Sequence, residues 1–206
     1  MNRLNLAAIV AGTAGTAISL VDAAWRATQT SVPPWDDTLQ GMSFADVLLN
    51  GTMIAAYATG AAVLVKHARA IDVNRVAQWS RRLLVCTLAV LAMSYSALLA
   101  LSRPAEGAFA AVFGIALIFV LTLPVVLGLS LIRRPQFRSA ALVLASPIVV
   151  GPLTGLVAAF TSWGHPAYVE TAGLIGVPLL AILAATTRPD DGHALRTPTA
   201  LEATVG

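Results

Sequence analysis

Asp46, Asn50, Met53, Tyr57 and Gly60 follow one another at intervals of four, three, four and three residues inside an otherwise apolar stretch. At about 100° per residue they fall on one helical face, and that face carries a carboxylate, an amide and a phenol in line. With a 1.5 Å rise per residue, Tyr57 lies roughly 16 Å deeper than Asp46. A charged aspartate at the centre of a membrane helix costs about 2.5–3.5 kcal/mol and less near the boundary, so Asp46 belongs at the mouth of the stripe. The stripe predicts an outward-opening polar cavity in which Asp46, Asn50, Met53 and Tyr57 bind a ligand. Its plainer alternative is a set of hydrogen bonds between helices with no ligand.

A second group of polar residues lies in "SWGHPAYVE", residues 162–170, which offers Trp163, His165, Tyr168 and Glu170. With Asp36 and Asp37 of "SVPPWDDTLQG", residues 31–41, His165 and Glu170 complete the candidate ligand-binding set. One histidine among carboxylates is too few for a metal centre, so no metal is expected. An aromatic belt with a helix cap accounts for the loop. His165, with a reference pKa near 6.5, could also register external pH, although nothing in the pattern selects that role.

Enzyme signatures are lacking: the sequence has no H-E-x-x-H and no G-x-S-x-G, and Cys86 has no neighbouring base. "DDGHALR", residues 190–196, departs from the D-x-x-D-G-x-x-A-R signature of CDP-alcohol phosphotransferases, with Arg188 in the place of the first aspartate. No cofactor is expected.

These residues need a scaffold, and composition names its solvent. Of 206 residues, 57% are apolar and only 11% charged, against roughly 25% charged in an ordinary soluble domain. The chain is predicted to be all-α: a polytopic bundle of six transmembrane helices over 1–187, with a disordered cytoplasmic tail over 188–206. Apolar windows run from Leu4 to Val21, Val47 to Val65, Leu83 to Leu101, Ala108 to Ile132, Ala140 to Phe160 and Thr171 to Thr187. Helices are required because backbone groups in lipid must be satisfied within the segment. The single cysteine excludes an intrachain disulfide. Twelve arginines against one lysine, beside 39 alanines, suggest a GC-rich bacterial source.

Charge alternates between the connecting segments. Arg3, Lys66, Arg69, Arg75, Arg81, Arg82, Arg133, Arg134, Arg138, Arg188 and Arg196 fall on one side, 11 of the 13 basic residues. The other side holds Arg26 and Arg103 with Asp22, Asp36, Asp37, Asp46, Glu106 and Glu170. The positive side is cytoplasmic, which places both termini inside and the chain in a bacterial plasma membrane. Basic residues spread over short loops also make the lipid bilayer, and not nucleic acid, the expected partner. "MNR", an apolar run and Val21–Asp22–Ala23 leave a cleavable signal peptide as an alternative for the first span.

Prolines divide the bundle: Pro124, Pro147, Pro152 and Pro178 all lie in spans four to six, and "SPIVVGPLTG", residues 146–155, is the candidate for a discontinuous helix. Ala7, Ala11, Gly15 and Ser19 in span one, and Gly151 with Gly155 in span five, predict close helix packing within the chain. Residues 66–82, "KHARAIDVNRVAQWSRR", alternate basic residues with Ile71, Val73, Val76 and Trp79. They read as a solvated loop, as a helix along anionic headgroups, or as a docking site for a cytoplasmic ATPase or membrane partner.

In size and helix count the chain resembles the substrate-binding subunits of energy-coupling-factor transporters. The 66–82 segment resembles the place where ABC-type permeases contact their ATPase. Both likenesses imply a transport protein, either a permease or a substrate-binding membrane subunit. Two alternatives stand beside it: a membrane-embedded enzyme acting on a lipid or isoprenoid with Asp46 or Glu170 as general acid, and a non-catalytic assembly or immunity partner.

Overall fold

The computed structural model describes residues 2–29, 44–101 and 107–187, and every regular element among them is helical. They are α1 (Arg3–Thr28), α2 (Phe44–Lys66), α3 (Ala68–Ile71), α4 (Arg75–Leu101), α5 (Gly107–Leu131), a 3-10 turn at Pro135–Phe137, α6 (Arg138–Ala145), α7 (Pro147–Phe160) and α8 (Ala167–Thr186). Six spans result, because Pro135–Phe160 crosses as one interrupted unit, and each is 20–27 residues long. At 1.5 Å per residue that is about 30–40 Å, enough to cross a hydrocarbon core of roughly 30 Å. This is a multi-pass membrane protein. Asp36, Asp37, Pro33 and the tail expected over 188–206 lie outside the described residues.

The spans close into a ring in the order α1, α2, α4, α5, α6, α8, with α8 also touching α2, α5 and α7. Ser19 of α1 meets Glu170 of α8, and Gly12 meets Leu174 and Pro178, so α1 and α8 run antiparallel. One end of the bundle gathers Arg3, Lys66, Arg69, Arg75 and Arg133, and the other gathers Asp22, Asp46, His165 and Glu170. Between them lies a core of Leu64, Leu84, Leu91, Leu127, Leu144 and Leu180, all fully buried.

Apolar burial gives no drive between helices when the solvent is itself apolar, so packing depends on close approach. The glycines show where it happens. A methyl group on Gly128 of α5 would lie 2.6 Å from the Ala141 carbonyl oxygen of α6, and one on Gly12 would collide with the Leu174 carbonyl oxygen of α8. Leu174 is the fourth residue before Pro178, so its carbonyl has lost its helical donor. Gly173 faces the Val120 carbonyl more loosely: its Cβ position is 3.9 Å from the oxygen that Pro124 releases, an ordinary contact distance. Pro124 and Pro178 therefore sit in continuous helices, each with its freed carbonyl facing a glycine of a neighbouring span.

Span five alone is interrupted. α6 stops at Ala145, Ser146 keeps helical dihedrals but its N–H bonds three residues back to the Val143 carbonyl, and α7 restarts at Pro147, where a missing N–H costs nothing. α7 is peripheral: apart from Pro147 none of its residues is buried, and its contacts are with α8 and α5. Gly151 and Gly155 meet nothing within 4 Å, which corrects the expectation that this glycine pair packs within the chain. The expected face of α1 is packed at Ala11, Gly15 and Ser19 and is joined by Asn5, Ala8 and Gly12, while Ala7 is exposed.

Residues 66–82 are neither a free loop nor a single surface helix. α4 begins at Arg75, two turns before the apolar window at Leu83, because Arg81 is neutralised inside the bundle. Its Nε and Nη2 donate to Asp72 at 2.6 and 2.8 Å, and Nη1 reaches the Leu64 carbonyl at 3.5 Å. Asn74 caps α4 by accepting from the Ala77 N–H at 2.7 Å, and donates to the Ser130 carbonyl at 3.2 Å. Ile71 is fully buried, whereas Val76 and Trp79 are exposed, with the Arg82 guanidinium 5.6 Å above the Trp79 ring.

Two outcomes follow from this packing. Gly12→Ala overpacks the α1–α8 seam and lowers the unfolding free energy in detergent by about 1–3 kcal/mol, whereas Gly155→Ala leaves the melting temperature unchanged. Asp72→Ala strands a buried guanidinium and costs about 3–5 kcal/mol, measured by the same unfolding titration.

Candidate functional site

The polar residues at the acidic end converge on one carboxyl group. Pro166 opens α8, so the helix starts at Ala167 and carries Glu170 in its first turn, where the positive end of the helix favours an acid. Glu170 points into the bundle. Ser19 Oγ of α1 donates to its Oε2 at 3.5 Å, and the Tyr57 hydroxyl of α2 donates to its Oε1. Tyr57 is 1% exposed, so this contact joins three helices in a place closed to lipid.

One turn above Ser19 on α1, Asp22 accepts from Arg26 Nε at 3.0 and 3.1 Å. His165, in the turn before α8, brings its Nε2 to 3.9 Å from Asp22. A line of polar groups thus runs from the His165 and Arg26 level inward through Asp22 to Glu170 and Tyr57. Thr16, one turn further in on the same face of α1, has a buried hydroxyl with no hydrogen-bond partner among the described residues.

Below Glu170 lies a cavity with about 20 Å³ of enclosed room, open on one side, between α2, α4, α5 and α8. Tyr57 and Glu170 stand at one end, and Gly60, Leu88, Pro124 and Pro178 line the rest. Its walls are otherwise aliphatic. From Tyr57 an aromatic series crosses to Tyr95 of α4 at 5.7 Å between centroids and on to Phe113 of α5 at 5.4 Å. These are ordinary separations for interacting rings.

The structure divides the stripe on α2. Tyr57 and Gly60 line the cavity; Met53 is buried in the core; Asp46 and Asn50 are half-buried nearer the acidic end and do not line it. Tyr57 and Glu170 are brought together across 113 residues of sequence, while His165 joins Asp22 rather than Glu170. Among the described residues no three His, Cys, Asp or Glu side chains converge as metal ligands would. Asp36 and Asp37, the remaining candidates, lie outside the described residues.

Sequence reasoning placed Glu170 in a loop and overlooked Ser19 and Asp22 as its companions. Pro166 was the available signal: a proline suits a helix's opening turn, which moves the start of span six four residues earlier and puts Glu170 inside the helix.

His165 titrates below its usual value. Burial is the main cause, opposed by the attraction of Asp22 and reinforced by Arg26. The folded protein therefore binds this proton less readily than the unfolded chain. Its contribution to stability is complete above the ordinary histidine value near 6.5 and is lost as pH falls from there through the folded value. Melting in detergent between pH 8 and pH 5 should show a decline in stability below about pH 6.5 that His165→Gln makes shallower. His67, also shifted down by burial and by Lys66, accounts for part of what remains.

Compared with known proteins, the chain matches no family model, no curated protein and no solved structure.

Proposed function

We propose that this chain is a small transport protein of a bacterial plasma membrane, a permease or substrate-binding membrane subunit, with Glu170 as its working group. The arginine asymmetry supports an orientation with both termini in the cytoplasm and the acidic end outside. In that orientation Asp46, Asn50 and the His165–Asp22 pair face the external side, and Glu170 lies between them and the cavity.

The observation that carries this reading is the placing of one carboxyl group, held by Tyr57 and Ser19, against an aliphatic cavity among four helices. An ionised carboxylate is costly in such surroundings unless something compensates its charge. Among the described residues lining the cavity there is no base to do so. Glu170 therefore alternates between carrying a proton and holding a ligand's charge, and that exchange is what a coupled carrier needs. Intramembrane acids of this kind mark ion and substrate pathways. Two buried prolines in the cavity wall, Pro124 and Pro178, mark helices whose backbone bonding is already interrupted there.

A lipid-processing enzyme could use the same carboxyl as its acid, but it would need a second reacting group, and Tyr57 already donates to Glu170. The partner surface on 66–82 narrows to the exposed Val76, Trp79 and Arg82, where an energising ATPase or membrane subunit would dock.

The test is transport by the purified full chain in lipid vesicles containing a pH-sensitive dye, with an imposed pH gradient and a panel of amines, amino acids, carboxylates and sugars. One solute class should discharge the gradient faster than in protein-free vesicles, and Glu170→Gln should remove at least tenfold of that rate while retaining the wild-type elution profile. No response across the panel, or full activity in Glu170→Gln, overturns the reading.

A further inference from the structure

We propose that the cavity's ligand is a small organic cation: a single positive charge on an apolar body, such as a hydrophobic amine or quaternary ammonium ion. This rests on the transport reading of the same site and names its substrate class.

Charge comes first. Glu170 is the one ionisable carboxyl among the lining residues, and no arginine, lysine or histidine stands with it there. Arg26, the basic residue nearest along the polar line, is engaged by Asp22. An anionic ligand would face a carboxylate with no counter-charge, and a polar neutral ligand would face aliphatic walls with few donors. A cation takes the place of the acid's proton and leaves the site neutral.

Tyr57 adds a ring wall, and its donor proton is spent on Glu170. Aromatic faces attract cations, and the series Tyr57, Tyr95, Phe113 extends that surface from the cavity toward the acid-end half of α4 and α5. The apolar body has its complement in Leu84, Leu88 and Val177. The enclosed room is about 20 Å³, that of one or two waters, so the ligand's charged head alone reaches Glu170 and its apolar body lies toward the open side.

Binding exchanges one cation for one proton: the carboxyl O–H bond breaks, the proton leaves to bulk water, and the carboxylate pairs with the ligand. Affinity therefore rises with pH.

The experiment is calorimetric titration of the detergent-solubilised full chain with benzyltrimethylammonium chloride, whose charge is permanent, in two buffers of different ionisation enthalpy. Phenylacetate and benzyl alcohol serve as the anionic and neutral probes. Saturable binding of the cation alone is expected, with proton release, tighter at higher pH. Glu170→Gln should weaken it more than tenfold, Glu170→Asp should retain it in part, and Tyr57→Leu should weaken it by about two- to thirtyfold, the range of a cation–π contact. Equal binding of the neutral or anionic probe, cation binding without proton release, or unchanged affinity in a folded Glu170→Gln overturns the inference. If Glu170→Gln does not fold, loss of proton release with retained affinity in Glu170→Asp overturns it equally. Glu170-dependent movement of a non-cationic solute in vesicles, with no cation bound, defeats this inference and leaves transport standing. Cation binding without any vesicle transport does the reverse.

Discussion

A carbonyl oxygen released by a proline in mid-membrane has no water to accept from, and the bundle is arranged around two of them. Pro178 frees Leu174 and Pro124 frees Val120, and each freed group is met by a glycine, Gly12 of α1 or Gly173 of α8. At Gly12 only a residue without a side chain lets the neighbouring backbone come that near, which brings α1 onto α8 at a fixed depth, whereas Gly173 meets Val120 at ordinary contact distance. Once that depth is set, Ser19 and Tyr57 fall opposite Glu170. The backbone constraint and the polar centre are thus two consequences of the same packing.

The two ends of the bundle handle charge differently. At the basic end Arg81 is buried and fully engaged by Asp72 and the Leu64 carbonyl, so its charge serves to hold α4 against the end of α2. At the acidic end Asp22 is shared between Arg26 and His165, while Glu170, one step deeper, accepts from two hydroxyl donors and has no basic partner among the described residues that line the cavity. A clamp compensates its charge within the protein; a binding centre leaves compensation to a proton or a ligand. That contrast sets the Arg81–Asp72 clamp apart from the Glu170–Tyr57 pair on which the proposed function rests.

α7 stands apart from this economy of contacts. Its Ile148, Leu153, Leu156 and Phe160 are exposed, and in a bilayer that exposure is the solvated state of an apolar helix. α6 packs against α5 and α8, whereas in α7, beyond Ser146, only Pro147 is buried.

Much of the architecture was legible in the residues themselves. The number of spans, their approximate limits, the segregation of arginines to one end and the breakable character of span five depend on local hydropathy, charge and proline content, and these act on each segment regardless of its neighbours. The early starts of α4 and α8 were not legible, because they depend on partners: Asp72 removes the penalty of carrying Arg81 into the bundle, and Pro166 with Ser19 and Tyr57 makes Glu170 a helix residue rather than a loop residue. Nor could periodicity tell which polar residues of one face would meet. The α2 stripe put Asp46 and Tyr57 in line, yet only Tyr57 reaches the cavity. Tertiary structure alone decided that Tyr57 and Ser19 close on Glu170, across 113 and 151 residues, since a helix displays its side chains by its own geometry but acquires their partners only from the helices packed against it.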